Sequence, residues 1–322
     1  MALTATQNTI IRRTAEGAFY TSLAARKPSI DIGGLVSADS SSASSKDYGW
    51  WGMPALPREW VGPRQHKALR SYTDNLIPKR WEVTLDVDRT TLEDDQTMQL
   101  SLGQIGAALA ERAQEHVIKR FTEVLEASNA TTIATAWDGN AFFHTAHSFG
   151  NSGSVDNDLT GAAATGTDPT PAEAQAALGN TIEAMLAYPN DQGDPAGGDT
   201  NRPFVIMIPP SYLTAYLTAF STSGGLTTAA IPGLDISGVT GAFRGTRVVI
   251  NPYLANADRT YVFRPGLPGS VGPFIFKRHT TAGNWEISFE EDKESDIYVF
   301  RGRARYELHY ADFLAASVWT WT

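Results

Sequence analysis

The 322-residue sequence contains no cysteine. That excludes a disulfide framework, a thiolate metal centre and a thiol nucleophile together. No apolar run approaches the roughly 18 residues of a membrane-spanning helix, so none is expected. The start, Met-Ala-Leu-Thr-Ala-Thr-Gln-Asn, lacks the basic-then-apolar layout of a secretory leader, and no leader is expected. Charged residues are scarce at 19%. There is no phosphate-binding Walker sequence, no dinucleotide G-x-G-x-x-G after a strand, and no H-E-x-x-H zinc motif. No internal repeat of about 20–50 residues is visible.

What is present is apolar: 42% hydrophobic and 10% aromatic residues, with 28 glycines and 17 prolines. This is enough for a folded core with many turns, as one large domain or two modest ones. Net charge is −9, the opposite of a free nucleic-acid binder. Charge is also unevenly placed. Residues 1–80 hold 11 basic and 6 acidic residues, a net of +5; residues 81–322 hold 15 and 29, a net of −14. Copies of such a chain can attract one another front to body, although chance clustering gives the same pattern.

Along the chain, a weak helix is expected from about 8 to 25. The run Ser37–Ser45 reads as a flexible connector, because it has nothing to bury. The aromatics from Tyr48 to Gly62 alternate with Gly and Pro, and read as irregular anchors. Residues 66–74 and 79–88 read as two strands of an extended hairpin. In the second, Trp81, Val83, Leu85 and Val87 share one face, and Arg80, Glu82, Thr84, Asp86 and Asp88 the other. That stripe has no evident partner within the chain.

The strongest helix follows. Met98, Leu102, Ile105, Leu109, Ala113, Val117, Phe121 and Val124 recur at spacings of three and four. Glu93, Asp94 and Asp95 sit where the helix dipole favours negative charge. About thirty residues make a rod near 45 Å. Pro171 opens a helix to about 188; another is expected near 211–220. Short strands are expected at 204–208, 246–251, 260–263 and 285–290. In a longer one at 297–310, Arg301, Arg303 and Arg305 share a face: either an anion or neighbour-subunit contact, or a set paired with nearby carboxylates.

Chemical constellations are few. His144 and His147 with Asp138 offer three candidate metal ligands within ten residues, but without a convincing further ligand or base; the bland alternative is a loop whose imidazoles cap backbone groups. Ser152 lies too close to His147 for a trypsin-like arrangement. The acidic run Glu290-Glu-Asp-Lys-Glu294 with Asp296 reads as a hard-cation site or a solvated turn.

The order of parts resembles the HK97-like major capsid proteins of tailed bacteriophages, and more narrowly the Mu-like major head subunit family. The carrying residues are Tyr48-Gly-Trp-Trp-Gly52, Arg58-Glu-Trp-Val-Gly62, Trp81-Glu-Val-Thr-Leu-Asp-Val-Asp-Arg89 leading to Leu92-Glu-Asp-Asp95, and Trp137-Asp-Gly-Asn-Ala-Phe-Phe143 followed by His147. The resemblance implies an α+β fold in five segments: an N-arm (1–47); an aromatic anchor and E-loop hairpin (48–94); a peripheral domain with the spine helix (95–170); an α/β axial domain (171–284); and closing peripheral strands (285–322). It implies a non-enzymatic shell subunit without cofactor, assembled in the host cytoplasm into the virion head. The partners implied are copies of itself in pentamers and hexamers, a separate scaffolding protein and maturation protease, a portal and a decoration protein. The enclosed double-stranded DNA would be held without sequence-specific contact, and no membrane is involved. Candidate intersubunit residues are Trp50, Trp51, Trp60, Arg64, Lys67, Arg70, Trp81, Val83, Leu85, Val87, Arg301, Arg303 and Arg305. Some relatives cross-link Lys to Asn; Lys67, Lys79 and Asn75 lie in the hairpin, with no catalytic carboxylate identified. The alternatives are an encapsulin-like non-viral shell and a metal-dependent hydrolase using His144, His147 and Asp138.

Overall fold

A computed structural model of the chain describes residues 5–25, 29–52, 57, 59, 62, 70–88, 90, 98–196, 203–222, 234–235, 246–265, 272–281, 284–292, 295 and 297–322. The spacing of apolar residues after position 98 produces helix α2 (Met98–Glu126). Its inner stripe deepens toward the C-terminal half, where Phe121, Val124 and Leu125 are fully buried. The expected acidic first turn at Glu93, Asp94 and Asp95 lies outside the described residues. Helix α1 (Ala5–Ala25) runs along α2. The approach is close because Gly106 has no side chain: a Cβ there would sit 2.5 Å from the Ala15 carbonyl oxygen. Ala15 and Phe19 are buried in this seam, and Gln114 Nε2 donates to the Leu23 carbonyl at 2.7 Å. The front of the chain, in this part, is a packed helix.

A five-stranded sheet is built around β12 (Ile297–Tyr310). Its partners are β10 (Phe274–His279), β11 (Glu286–Asp292) and β4 (Lys79–Asp88), all antiparallel; β1 (Val36–Ser41) adds to β10 in parallel. Strands β2 (Lys46–Trp51) and β3 (Ser71–Leu76) form a separate two-stranded ribbon. A six-stranded sheet has the order β5 (Asp158–Gly161), β13 (Ala316–Trp321), β9 (Arg259–Phe263), β6 (Val205–Ile208), β8 (Arg247–Ile250) and β7 (Leu234–Asp235). Helix α3 (Pro171–Ala187) packs on it beside α4 (Leu213–Thr222). Thr170 and Glu173 close a reciprocal capping box around Pro171, so this start is written in three residues. One apolar core joins the two sheets: Phe274 packs at a tilt against Phe142 (5.3 Å between ring centres) and meets Phe263 of the other sheet at 5.8 Å.

Several expectations are corrected. The strand expected from 66 begins at Ser71, and it pairs with β2, not with β4. Residues 37–41 of the expected connector form an edge strand held by backbone bonds to β10, which need no apolar side chains. The expected irregular stretch from Tyr48 starts instead as strand β2; most of residues 53–69 lies outside the described residues. The sheets also interleave the expected segments. β10, from 171–284, joins the five-stranded sheet, whereas β5 and β13, from 95–170 and 285–322, join the six-stranded one.

Candidate intersubunit surface

The striped strand β4 is not left bare by its own chain. It pairs with β12 over ten residues, from Lys79 opposite Tyr306 to Asp88 opposite Ile297. Trp81 is half-buried; its Nε1 donates to the Tyr306 carbonyl at 2.9 Å, and its ring lies 4.5 Å from that of His116 on α2. Val83 fits over Gly302, where a Cβ would approach it to 2.7 Å. Val87 packs with Phe289, Tyr298 and Phe300. The expectation that this stripe needs another subunit as its first partner is therefore overturned. Leu85, Ile77 and Tyr20 are the exposed large apolar side chains among the described residues.

A polar network without any signal in the sequence pattern lies beneath. Arg120 of α2 donates from Nε to Glu307 Oε1 at 2.9 Å, both side chains being over 90% buried. Lys79 of β4 reaches the other Glu307 oxygen at 3.3 Å, and Arg120 also meets Glu123 at 3.1 Å. The Arg120 guanidinium stands 5.6 Å over the Trp81 ring. His116 Nδ1 and the Tyr306 hydroxyl are 2.6 Å apart. Burial pushes the His116 imidazole below its ordinary value, which favours a neutral ring accepting from the hydroxyl. Helix α2 and strands β4 and β12 thus converge on Glu307.

On the opposite face, two of the three arginines take the bland option. Arg301 pairs with Glu290 at 2.6 Å and Arg303 with Glu286 at 2.8 Å. The acidic run thereby serves, at Glu290, as a cross-strand partner. Arg305 differs: it faces Arg80 across the ladder.

The ribbon docks at the far end of this sheet. Tyr48 donates to Asp39 at 2.6 Å, Lys46 pairs with Asp39 at 2.7 Å, Asp74 meets His309 at 3.2 Å, and the buried Lys277 ammonium donates to the Leu76 carbonyl at 3.3 Å. Burial pushes the Asp74 carboxyl up, against the pull of His309, and pushes the Lys277 ammonium down. Trp50 and Trp51 lie in β2 opposite Tyr72 and Ser71. Arg70 is exposed at the ribbon's end, its carbonyl accepting from Gly52 at 2.8 Å. Trp60, Arg64 and Lys67 lie outside the described residues.

The histidine loop is structural in its geometry. His147 is fully buried, stacked on Phe313 at 3.9 Å, with Nδ1 2.6 Å from Asp138 and Nε2 3.3 Å from the Phe142 carbonyl. Both nitrogens are occupied by protein groups. Burial alone would raise the Asp138 carboxyl, but hydrogen bonds from His147 and Asn140 outweigh it and hold the carboxyl below its usual value. His144 turns its Nδ1 to the Ala146 amide at 3.1 Å. Among the described residues no group of three or more His, Cys, Asp or Glu converges on a metal position. Ser152 hydrogen-bonds within its own turn, to Phe149 and Gly153, rather than to a histidine.

The sequence profile of the Mu-like prophage major head subunit gpT matches residues 10–169. The Mu-like prophage FluMu major head subunit of Haemophilus influenzae is 32% identical over 113 residues, which is 34% of this chain and 34% of that protein; the match spans about a third of the relative's length. Among solved structures, the mature capsid of bacteriophage PhiM1 aligns with a TM-score of 0.58 at 11% identity, over 90% of this chain and 86% of that one. The capsid of cyanophage P-SCSP1u gives 0.58 at 13%, over 92% and 90%. At these identities the likeness establishes the fold, and the fold is the HK97-type capsid fold. Head-subunit sequence over residues 10–169, carried on a capsid fold along nine-tenths of the chain, places this protein in the Mu-like prophage major head subunit family.

Proposed function

We propose that the chain is the major capsid subunit of a Mu-like tailed phage or prophage, assembling with itself into an icosahedral shell of pentamers and hexamers around double-stranded DNA. The observation that carries this is the coincidence of a capsid fold along 90% of the chain with head-subunit sequence over residues 10–169. The sequence half of that coincidence favours a phage head over an encapsulin-like compartment. The histidine loop gives the hydrolase reading no support, since both His147 nitrogens are taken. A net charge of −9 suits a shell that must release its genome, because a basic lining would bind phosphate and hold it.

In this reading the described E-loop strand β4 is clamped to its own body, and contacts between subunits fall to the ribbon end, to exposed Leu85 and Ile77, and to Trp50, Trp51, Trp60, Arg64, Lys67 and Arg70. Scaffolding protein, protease, portal and decoration protein act as separate chains, and assembly takes place in the host cytoplasm before the subunit becomes part of the virion. Electron microscopy of the purified protein, alone and co-expressed with a candidate scaffolding protein, tests the reading. Shells, capsomers or tubes are expected; a monodisperse monomer under both conditions refutes it.

A further inference from the structure

The outward face of the β4–β12 ladder is graded in charge along its length. Its cross-strand rows run Arg80–Arg305, then Glu82–Arg303–Glu286, Thr84–Arg301–Ser288 and Asp86–Val299–Glu290. The middle rows are neutralised internally by the pairs of Arg303 with Glu286 and Arg301 with Glu290. The end row is not. Two arginines are direct register partners, a pairing of like charges that is unfavourable within one sheet. Neither has a carboxylate within ion-pair distance among the described residues, and the Arg305 Nε is buried without a hydrogen-bond partner. Beyond it lies the buried Lys277, on which Arg305 and Lys46 act as like charges and Asp39, paired with Lys46 at 2.7 Å, as an opposite one. Toward the other end of the same face, one row before Asp88–Ile297–Asp292, Asp86 is exposed, and no described residue pairs with it.

We propose that this face is a self-complementary contact: the Arg80–Arg305 end of one copy receives Asp86 of a second copy laid antiparallel to it, and offers its own Asp86 in return. The inference rests on the self-assembly reading. Charge complementarity selects the occupant. Arg80 and Asp86 are six residues apart, about 20 Å along a strand, and that separation is the same on both copies. A two-fold axis near Val83 therefore makes both contacts at once, as an isologous interface requires. A nucleic acid fits less well, because Glu82, Glu286 and Asp86 on the same face repel a polyanion.

The test uses full-length chains and light-scattering assembly kinetics at low salt. Variant one is Arg80→Glu with Arg305→Glu; variant two is Asp86→Arg; variant three carries all three changes. Variants one and two, with wild-type melting temperatures, are each expected to assemble roughly tenfold more slowly, because exposed pairs are individually weak but are both reversed to repulsion. An equimolar mixture of the two, and variant three alone, are expected to recover to within about twofold of wild type. Wild-type rates for variants one and two, or a mixture no faster than its parents, overturn the proposal. So does a short duplex DNA that binds wild type, fails to bind variant one, and leaves assembly unaltered; that outcome assigns the arginines to phosphate. If wild type assembles throughout, failure of the contact leaves the shell reading intact. If wild type never assembles, both fall.

Discussion

Glu307→Ala is the most informative single change. Glu307 is the shared anion for Arg120 and Lys79, at 2.9 and 3.3 Å. Removing it leaves Arg120, whose side chain is 8% exposed, with Glu123, whose side chain is 48% exposed. It also adds to the deficit of an Arg120 Nη2 that is already buried without a partner. Breaking a buried pair from one side costs about 3–5 kcal/mol, because a charge stays behind without its water or its partner. Glu123 keeps part of the compensation and Lys79 can turn to solvent, so the lower end, about 3 kcal/mol, is expected. That is a large share of the roughly 5–15 kcal/mol by which a domain is stable. The control is Arg120→Met with Glu307→Leu, which removes both charges at similar volume and is expected within about 1–2 kcal/mol of wild type. The assay is urea unfolding of unassembled subunit; urea avoids the ionic screening that guanidinium chloride adds. A loss under about 1 kcal/mol for Glu307→Ala, or a double variant as unstable as the single one, would show that the network is not what joins α2 to β4.

Three further outcomes follow from the same geometry. Gly106→Val drives a branched side chain into the Ala15 carbonyl, and should separate α1 from α2 at a cost of about 1–3 kcal/mol; unchanged thermal stability with α1 still protected from hydrogen exchange counts against that packing. His116 has a folded value below its unfolded one, so the unfolded chain binds more protons near pH 6; stability is complete above about 6.5 and declines as pH falls below it. His116→Gln should flatten the decline in urea midpoint between about pH 7.5 and 5.5, and an equally steep variant argues that other groups cause it. Deleting residues 68–84 removes β3, Trp81 and Val83 together, so the remaining body should melt markedly lower; a deletion that melts like wild type refutes the intrachain role assigned to β4.

What the sequence disclosed and what it withheld divide along physical lines. Helix α2 was legible because Ile105, Leu109, Ala113, Val117, Phe121 and Val124 repeat at helical spacing. Strand β12 was legible because Tyr298, Phe300, Ala304, Tyr306 and Leu308 alternate with charged residues over enough length to leave no ambiguity. Strand β1 was hidden, since Val-Ser-Ala-Asp-Ser-Ser carries no apolar alternation and is held through its backbone. The partner of β4 was hidden for a different reason. Periodicity tells which face of a strand is apolar and says nothing of what covers it, so Trp81 and Val87 seemed stranded when Tyr306 and Tyr298 lay more than 200 positions away. Of the candidate contact residues, Arg301 and Arg303 stay exposed but pair within their own sheet with Glu290 and Glu286, because β11 supplies carboxylates at the right register. The distinction of Arg305 came from its neighbour Arg80, a pairing invisible until the strands were aligned.

The span between Trp81 and Tyr306 has a consequence for synthesis on the ribosome. The indole's hydrogen-bond acceptor follows it by 225 residues. At about 5–20 residues per second, β4 waits roughly 10–45 s for the strand that completes its ladder. During that interval the nascent chain shows Trp81, Val83, Leu85 and Val87 on an unpaired edge, which is the form of surface that holdase chaperones capture and that neighbouring chains on one messenger can snare. The same wait acts as a timer. Arg80 and Arg305 cannot stand side by side until β12 has emerged, so the face proposed to join two copies does not exist on half-made chains, and crowded polysomes are kept from seeding a shell out of unfinished subunits.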